Sequence, residues 1–155
     1  MNTVQTWETI STDLENTLDL GRRIGRKLKG GEVIELVSDL GGGKTAFVRG
    51  LAAGMGSKDT VHSPSFTVSN EYRSGKFTLY HFDFHRLDDA GIVGQELAEI
   101  VADPRAVVAV EWAGLVENIL PADRLTIRFK VMGETDRQLV LEYPERLSYL
   151  LADET

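Results

Sequence analysis

Glu32-Val33-Ile34-Glu35-Leu36-Val37-Ser38-Asp39-Leu40-Gly41-Gly42-Gly43-Lys44-Thr45 is an apolar run, a glycine-rich loop and the start of an amphipathic segment. Residues 32–37 are mostly apolar and β-branched, which predicts a strand. The chain from Lys44 to about Ala53 predicts a helix, closed by Gly54 and Gly56. Strand, glycine loop and helix, in that order, are the context a phosphate-binding loop requires. Glycines let the backbone curl so that successive N–H groups point at phosphate oxygens. The helix N-terminus adds the positive end of its dipole. Lys44 opens the helix at what reads as the surface and would reach the β- and γ-phosphates, while the Thr45 hydroxyl would be a magnesium ligand. The strict form of this motif begins with glycine where this chain has Ser38, so the backbone there must keep to dihedrals open to a residue with a Cβ.

Working outward, residues 4–10 (VQTWETI) alternate enough for a first strand. Thr12 and Glu15 make a capping box, and Leu14, Leu18, Gly21, Ile24 and Leu28 then follow helical spacing to a stop at Gly30-Gly31. Downstream, residues 65–73 and 76–83 predict a hairpin around Ser74-Gly75. Residues 95–102 read as helix. AVVAV at 106–110 is an unbroken apolar run, as expected of a strand buried on both faces. A short helix over 114–120 ends at Pro121, residues 125–131 and 137–143 pair around Gly133, and the tail LSYLLADET reads as a short helix or as frayed. These elements predict an α/β fold: a P-loop NTPase-like three-layer sandwich whose mostly parallel central sheet, covered by helices on both faces, is extended by antiparallel strands. One domain over residues 1–155 is expected.

Composition narrows the function. Hydrophobic residues make up 42%, which excludes a disordered chain. There is no cysteine, which excludes a disulfide framework, a thiolate metal site and a cysteine nucleophile. The formal net charge of −7 argues against a free-standing nucleic-acid binder, so no DNA partner is expected. No apolar stretch is long enough for a membrane span, and the polar N-terminus lacks the apolar region of a secretory signal. A cytoplasmic location is expected.

A P-loop needs a second acid near its magnesium, delivered by a neighbouring strand end. Asp83 ends TLYHFD and Glu111 ends AVVAVE, and open α/β sheets bind ligands at those carboxyl ends. Glu111 reads as the Walker B acid, while Asp83 could equally form a local ion pair with Arg86. Trp112 follows Glu111, either as a core aromatic or as a wall of the pocket. His62-Ser63-Pro64-Ser65-Phe66-Thr67 lies where P-loop proteins place a γ-phosphate-sensing switch, although a Ser-Pro turn explains it as simply. His81 and His85 flank Asp83 at positions that do not converge, which argues against a histidine metal site. Arg22, Arg23, Arg26, Lys27 and Lys29 cluster on the first helix, either as a solvated face or as a contact for tRNA or a partner. No guanine-specificity motif occurs, so adenine is the default base.

Taken together, these residues resemble one family, the bacterial tRNA threonylcarbamoyladenosine biosynthesis ATPases, TsaE. The resemblance runs from about Thr17 to Arg137. Its pieces are Thr17-Leu18-Asp19-Leu20-Gly21, Asp39-Leu40-Gly41-Gly42-Gly43-Lys44-Thr45, Ser63-Pro64-Ser65-Phe66-Thr67 with Asn70-Glu71-Tyr72, Tyr80-His81-Phe82-Asp83 with Arg86-Leu87, Glu111-Trp112 and Leu120-Pro121. The resemblance implies a Mg²⁺-dependent ATPase, slow on its own, that acts on a TsaD–TsaB heterodimer in t6A modification of tRNA and meets tRNA only through that complex. It implies that Asp39, Leu40, Gly41, Gly42, Gly43, Lys44, Thr45 and Ala46 hold ATP, with Thr17, Trp112 and Arg137 also at the nucleotide. Lys44, Asp83 and Glu111 would be catalytic, with Asp83 acting on the water and Thr45, Glu111 and Asp83 at the metal. The chain departs from the family pattern at Ser38, at Ala46 and Ser65, where threonine is usual, and at Phe84-His85 in place of Leu-Tyr.

Two other classes fit a P-loop of this size. A small-molecule kinase would carry an arginine-rich lid, which the second half of this chain lacks. A nucleotide-dependent binding module with little hydrolysis would suit the changes at Ser38 and Ala46.

Overall fold

The computed structural model describes residues 3–38, 43–59, 69–85, 89 and 91–154. They form an α/β structure around one seven-stranded sheet. In chain order the elements are β1 (Val4–Ser11), α1 (Leu14–Lys27), β2 (Val33–Val37), α2 (Lys44–Met55), β3 (Ser69–Arg73), β4 (Thr78–Asp83), α3 (Gly91–Val101), β5 (Ala106–Glu111), β6 (Leu125–Val131) and β7 (Arg137–Pro144). Short 3-10 helices follow β5 (Ala113–Val116) and β7 (Glu145–Leu151). The strands lie in the order β1-β7-β6-β2-β5-β4-β3. The central pairs β6–β2, β2–β5 and β5–β4 are parallel, and the outer pairs are antiparallel. No helix of the described residues is long and apolar enough to cross a membrane.

β5 shows why the centre is apolar throughout. Val107 and Ala109 face one core, with Ile34, Leu36, Phe47 and Leu51, while Val108 and Val110 face a second, with Phe82, Phe84, Leu97 and Val116. Helices α1 and α2 cover the first face, and α3 with the first 3-10 helix covers the second. A strand covered on both sides has no solvated face to mark by polar alternation.

The α1–α2 crossing is built on glycine. A Cβ at Gly21 would sit 2.3 Å from the Phe47 carbonyl oxygen, and one at Gly50 would sit 2.1 Å from that of Leu18. Gly25 and Gly54 repeat the arrangement one turn on. Backbones can approach this closely only where side chains are absent. The crossing brings the first turn of α1 against the start of α2.

Several boundaries differ from the sequence reading. The cap of α1 is Asp13, one residue later than Thr12: Asp13 accepts from the Asn16 N–H at 2.8 Å, and the Asn16 side chain, in the place of a Glu15 partner, accepts from the Thr12 N–H at 3.1 Å. Leu14 is exposed, and the buried stripe is Thr17, Leu20, Gly21, Ile24 and Leu28. α2 runs through Gly54, which serves the crossing, and stops at Gly56 in the left-handed region. α3 starts at Gly91, earlier than expected, because Val93, Leu97 and Ile100 pack on the second core despite poor local propensity. The helix expected at 114–120 is a 3-10 turn over Ala113–Val116. The tail is not frayed: Leu147, Leu150 and Leu151 are buried, and Glu154 accepts from Arg23 Nε at 2.9 Å and Nη2 at 3.0 Å. Lys27 lies 3.3 Å from Asp153, Lys29 stacks over the Tyr149 ring, and Arg22 pairs with Asp19. The basic cluster is therefore largely neutralised from within. The hairpin residues 65–68 and the segment His62–Thr67 lie outside the described residues.

Candidate functional site

The parallel strands β2, β4 and β5 end together. Asp83 of β4 pairs in register with Glu111 of β5, and Glu111 pairs with Leu36 of β2. Helix α2 starts beside these ends, capped by Gly43 at φ 101°, a left-handed conformation that only glycine adopts at low cost. Asp39, Leu40, Gly41 and Gly42 lie outside the described residues.

Lys44 is not a surface side chain: it is 7% exposed. Its ammonium donates to the Ser38 carbonyl at 3.2 Å and lies 3.3 Å from Glu111 Oε1. Glu111 is 4% exposed, and its other oxygen meets His81 Nε2 at 2.5 Å. Burial by itself would raise the Glu111 carboxyl; the hydrogen bond from His81 and the charge of Lys44 outweigh it and hold the group below the ordinary glutamate range. Glu111 is thus an ionised, buried carboxylate at the end of β5. Its two oxygens have separate partners.

Asp83 accepts at Oδ1 from the His85 backbone N–H, at 3.1 Å, and meets His85 Nδ1 at 2.9 Å. Arg86, the ion-pair partner considered for Asp83, lies outside the described residues. Among the described residues, Trp112 is the non-glycine residue with positive φ, at 57°. A side chain held in that region costs about 1 kcal/mol, and such strain gathers at functional sites. The indole lies 5.5 Å from Lys44 Nζ and 6.1 Å from the His85 ring, with 45% of the residue exposed. A cleft of about 490 Å³ opens alongside, lined by Val37, Ser38, Trp112, Gly114, Arg128 and Phe129.

Thr17 is buried, hydrogen-bonded to Ser11 Oγ at 2.7 Å, and its side chain flanks Gly43. The α1–α2 crossing puts it there. Arg137 opens β7 opposite Ser11, and its Nη1 donates to the carbonyls of Gly133, Glu134 and Asp136 in the β6–β7 turn. Thr45 is half-buried in the first turn of α2, and Ala46 is buried behind it. The structure therefore brings together Thr17, Gly43, Lys44, Glu111 and Trp112, with Asp83 one strand away. Among the described residues, the contacts of Arg137 are those to the turn carbonyls.

The sequence reading weighed His81 only as a metal ligand and missed its pairing with Glu111. The alternation of TLYHFD puts it on the same strand face as Asp83, and from there it reaches across to Glu111. Among the described residues no group of three or more His, Asp and Glu side chains could hold a metal by itself. A Mg²⁺ that shares its shell with phosphates and water needs only one or two protein oxygens. The hydroxyl of Thr45 and the carboxylates of Asp83 and Glu111 are donors of that kind.

A family model described as threonylcarbamoyl adenosine biosynthesis protein TsaE matches residues 11–140. The chain belongs to the TsaE family. The matched span starts at Ser11, the hydrogen-bond partner of Thr17, and takes in the glycine loop, both strand-end acids and Arg137. The chain is similar to the tRNA threonylcarbamoyladenosine biosynthesis protein TsaE of Bacillus subtilis (strain 168), with 36% identity over 137 residues, covering 86% of this chain and 82% of that protein. A Treponema pallidum (strain Nichols) protein of the same name is 34% identical over 135 residues, covering 85% and 97%. A crystal structure of Bacillus subtilis YdiB matches with a TM-score of 0.77 at 29% identity, covering 99% of this chain and 96% of that one.

Proposed function

We propose that this protein is the ATP-binding and ATP-hydrolysing component of tRNA N6-threonylcarbamoyladenosine biosynthesis, working in the cytoplasm on a TsaD–TsaB complex. The observation that carries the reading is Lys44, at the N-terminus of α2, converging with the strand-end Glu111 at 3.3 Å in a member of the TsaE family. Residues 39–46, with Thr17 beside Gly43, would hold the nucleotide, and Trp112 and Arg137 would border it. Loop amides and the dipole of α2 would meet the phosphates. Lys44 would turn from Glu111 to the β- and γ-phosphates, freeing Oε1. Thr45, Glu111 and Asp83 would hold Mg²⁺, which neutralises the charge that develops on the transferred phosphoryl group. Asp83 would orient the attacking water and accept its proton. Lys44, Asp83 and Glu111 are thus the residues assigned to chemistry.

The test is ADP release from ATP and Mg²⁺, by this protein alone and with the TsaD–TsaB pair. Slow release that rises with the pair supports the proposal. Release only in the presence of a phosphate-accepting small molecule would make the protein a kinase. Tight ATP binding with no ADP in either case would make it a binding module.

A further inference from the structure

We propose that His81 is a positioning residue for Glu111, fixing the carboxylate that meets the metal. The inference rests on the reading of Glu111 given above. His81 lies on β4 two residues before Asp83, is 0% exposed, and reaches Glu111 Oε2 at 2.5 Å with Nε2. At this separation a single proton lies between Nε2 and Oε2, and the tautomer with its proton on Nε2 donates to the carboxylate. Its other ring nitrogen, Nδ1, is buried and has no partner among the described residues. An imidazole kept there only as core filling would be a poor choice, since burial without a partner for one nitrogen costs stability that an apolar ring would not lose. The ring's polar contact is with Glu111.

The two contacts on Glu111 differ in kind. Lys44 holds Oε1 through a long, flexible side chain that also serves the phosphates. His81 holds Oε2 from a rigid strand, through a side chain with two torsions packed in the sheet interior. When Lys44 leaves for the nucleotide, His81 keeps the carboxylate in one rotamer with Oε1 presented. Partners of this kind, behind a metal ligand, commonly change metal affinity ten- to a hundredfold.

The experiment compares His81→Phe, His81→Gln and His81→Asn with the parent and with Glu111→Gln. Glutamine carries an N–H about where Nε2 lies, whereas asparagine places it one methylene short. Three quantities are measured: ADP affinity without metal, Mn²⁺ affinity of the ADP complex by electron paramagnetic resonance, and the thermal unfolding midpoint. The expected result is that His81→Phe and His81→Asn weaken Mn²⁺ about tenfold or more, with metal-free ADP affinity within about twofold of the parent. His81→Gln recovers most of the loss. Should the phenylalanine variant fail to fold, the glutamine–asparagine pair carries the comparison. The inference is overturned if the folded variants hold Mn²⁺ as the parent does, or if metal-free ADP affinity falls in step with Mn²⁺ affinity. Glu111→Gln separates the two levels: if it too keeps Mn²⁺, the assignment of Glu111 is what fails; if it loses Mn²⁺ while the His81 variants do not, only the role of His81 fails.

Discussion

Gly50→Ala sets two physical effects against each other. In an isolated helix, alanine is favoured over glycine by about 1 kcal/mol. At position 50 the new Cβ would stand 2.1 Å from the Leu18 carbonyl oxygen, 2.8 Å from the Arg22 nitrogen and 2.9 Å from the Gly21 Cα. All three are backbone atoms of α1, so no rotamer change clears the space. A carbon–oxygen contact needs about 3.3 Å, so the helices must part by about 1 Å at the crossing. That separation loosens Ile24, Phe47 and Leu51, which are fully buried at this interface. Overpacking typically costs about 1–3 kcal/mol, and the rigid surroundings favour the upper end. After the gain in helix propensity, the net loss is about 2 kcal/mol. For a chain of this size that lowers the unfolding midpoint by about 4–8 °C. Thermal unfolding followed by circular dichroism measures it, with Gly75→Ala as control because nothing lies within 4 Å of a Cβ there. The crossing also seats Thr17 against Gly43, so nucleotide affinity should fall in Gly50→Ala and not in Gly75→Ala. A midpoint that rises in Gly50→Ala would refute the packing argument and leave helix propensity in control.

Lys44→Ala removes charge-assisted bonds each worth about 1.5–3 kcal/mol, so equilibrium binding should show ATP affinity lower by roughly ten- to a hundredfold; unchanged affinity would sink the P-loop assignment. The same variant leaves Glu111 buried with one partner fewer, so its unfolding midpoint should also fall. Glu111→Gln should slow Mg²⁺-dependent ADP release far more than it weakens metal-free ATP binding, whereas Asp83→Asn should slow release with Mg²⁺ affinity closer to normal; the opposite pattern in a metal titration would exchange their roles. Tyr149 donates to Glu32 at 2.5 Å, and burial first, then that hydrogen bond and the Glu32 charge, push its hydroxyl pKa far above the usual tyrosine value. A raised folded pKa gives stability that is complete below the unfolded value of about 10 and lost as pH rises beyond it. Tyr149→Phe should therefore cost about 1 kcal/mol near neutral pH, with the difference from the parent shrinking above about pH 10 in denaturant titrations; a gap that persists there would mean the loss is one of packing.

The glycine loop between an apolar strand and a helix, the buried run AVVAV and the acids at two strand ends were legible from sequence because each depends on neighbours along the chain. Turn-forming glycines, strand burial and the start of α2 are local matters, and they were enough to give an α/β sheet with a parallel centre. What lay across the sheet or between helices was not legible. The alternation in β1 gave a strand but not its inward face: Val4 and Ile10 are 61% and 54% exposed, while Trp7 and Ser11 face the core, because pairing with Leu141 and Arg137 of β7 sets the register. Gly54 read as a helix stop and Gly21 as one more position in an apolar stripe, yet both exist for a backbone contact with a helix distant in sequence. Lys44 read as a surface residue, and the tertiary fold buries it against Glu111. The ring of His81 was two residues from Asp83 in sequence, but its partner is 30 residues away on β5. Side-chain pairing across parallel strands depends on sheet order, which no local pattern encodes, and that order is what turned a strand-end acid into a carboxylate held between a lysine and a histidine.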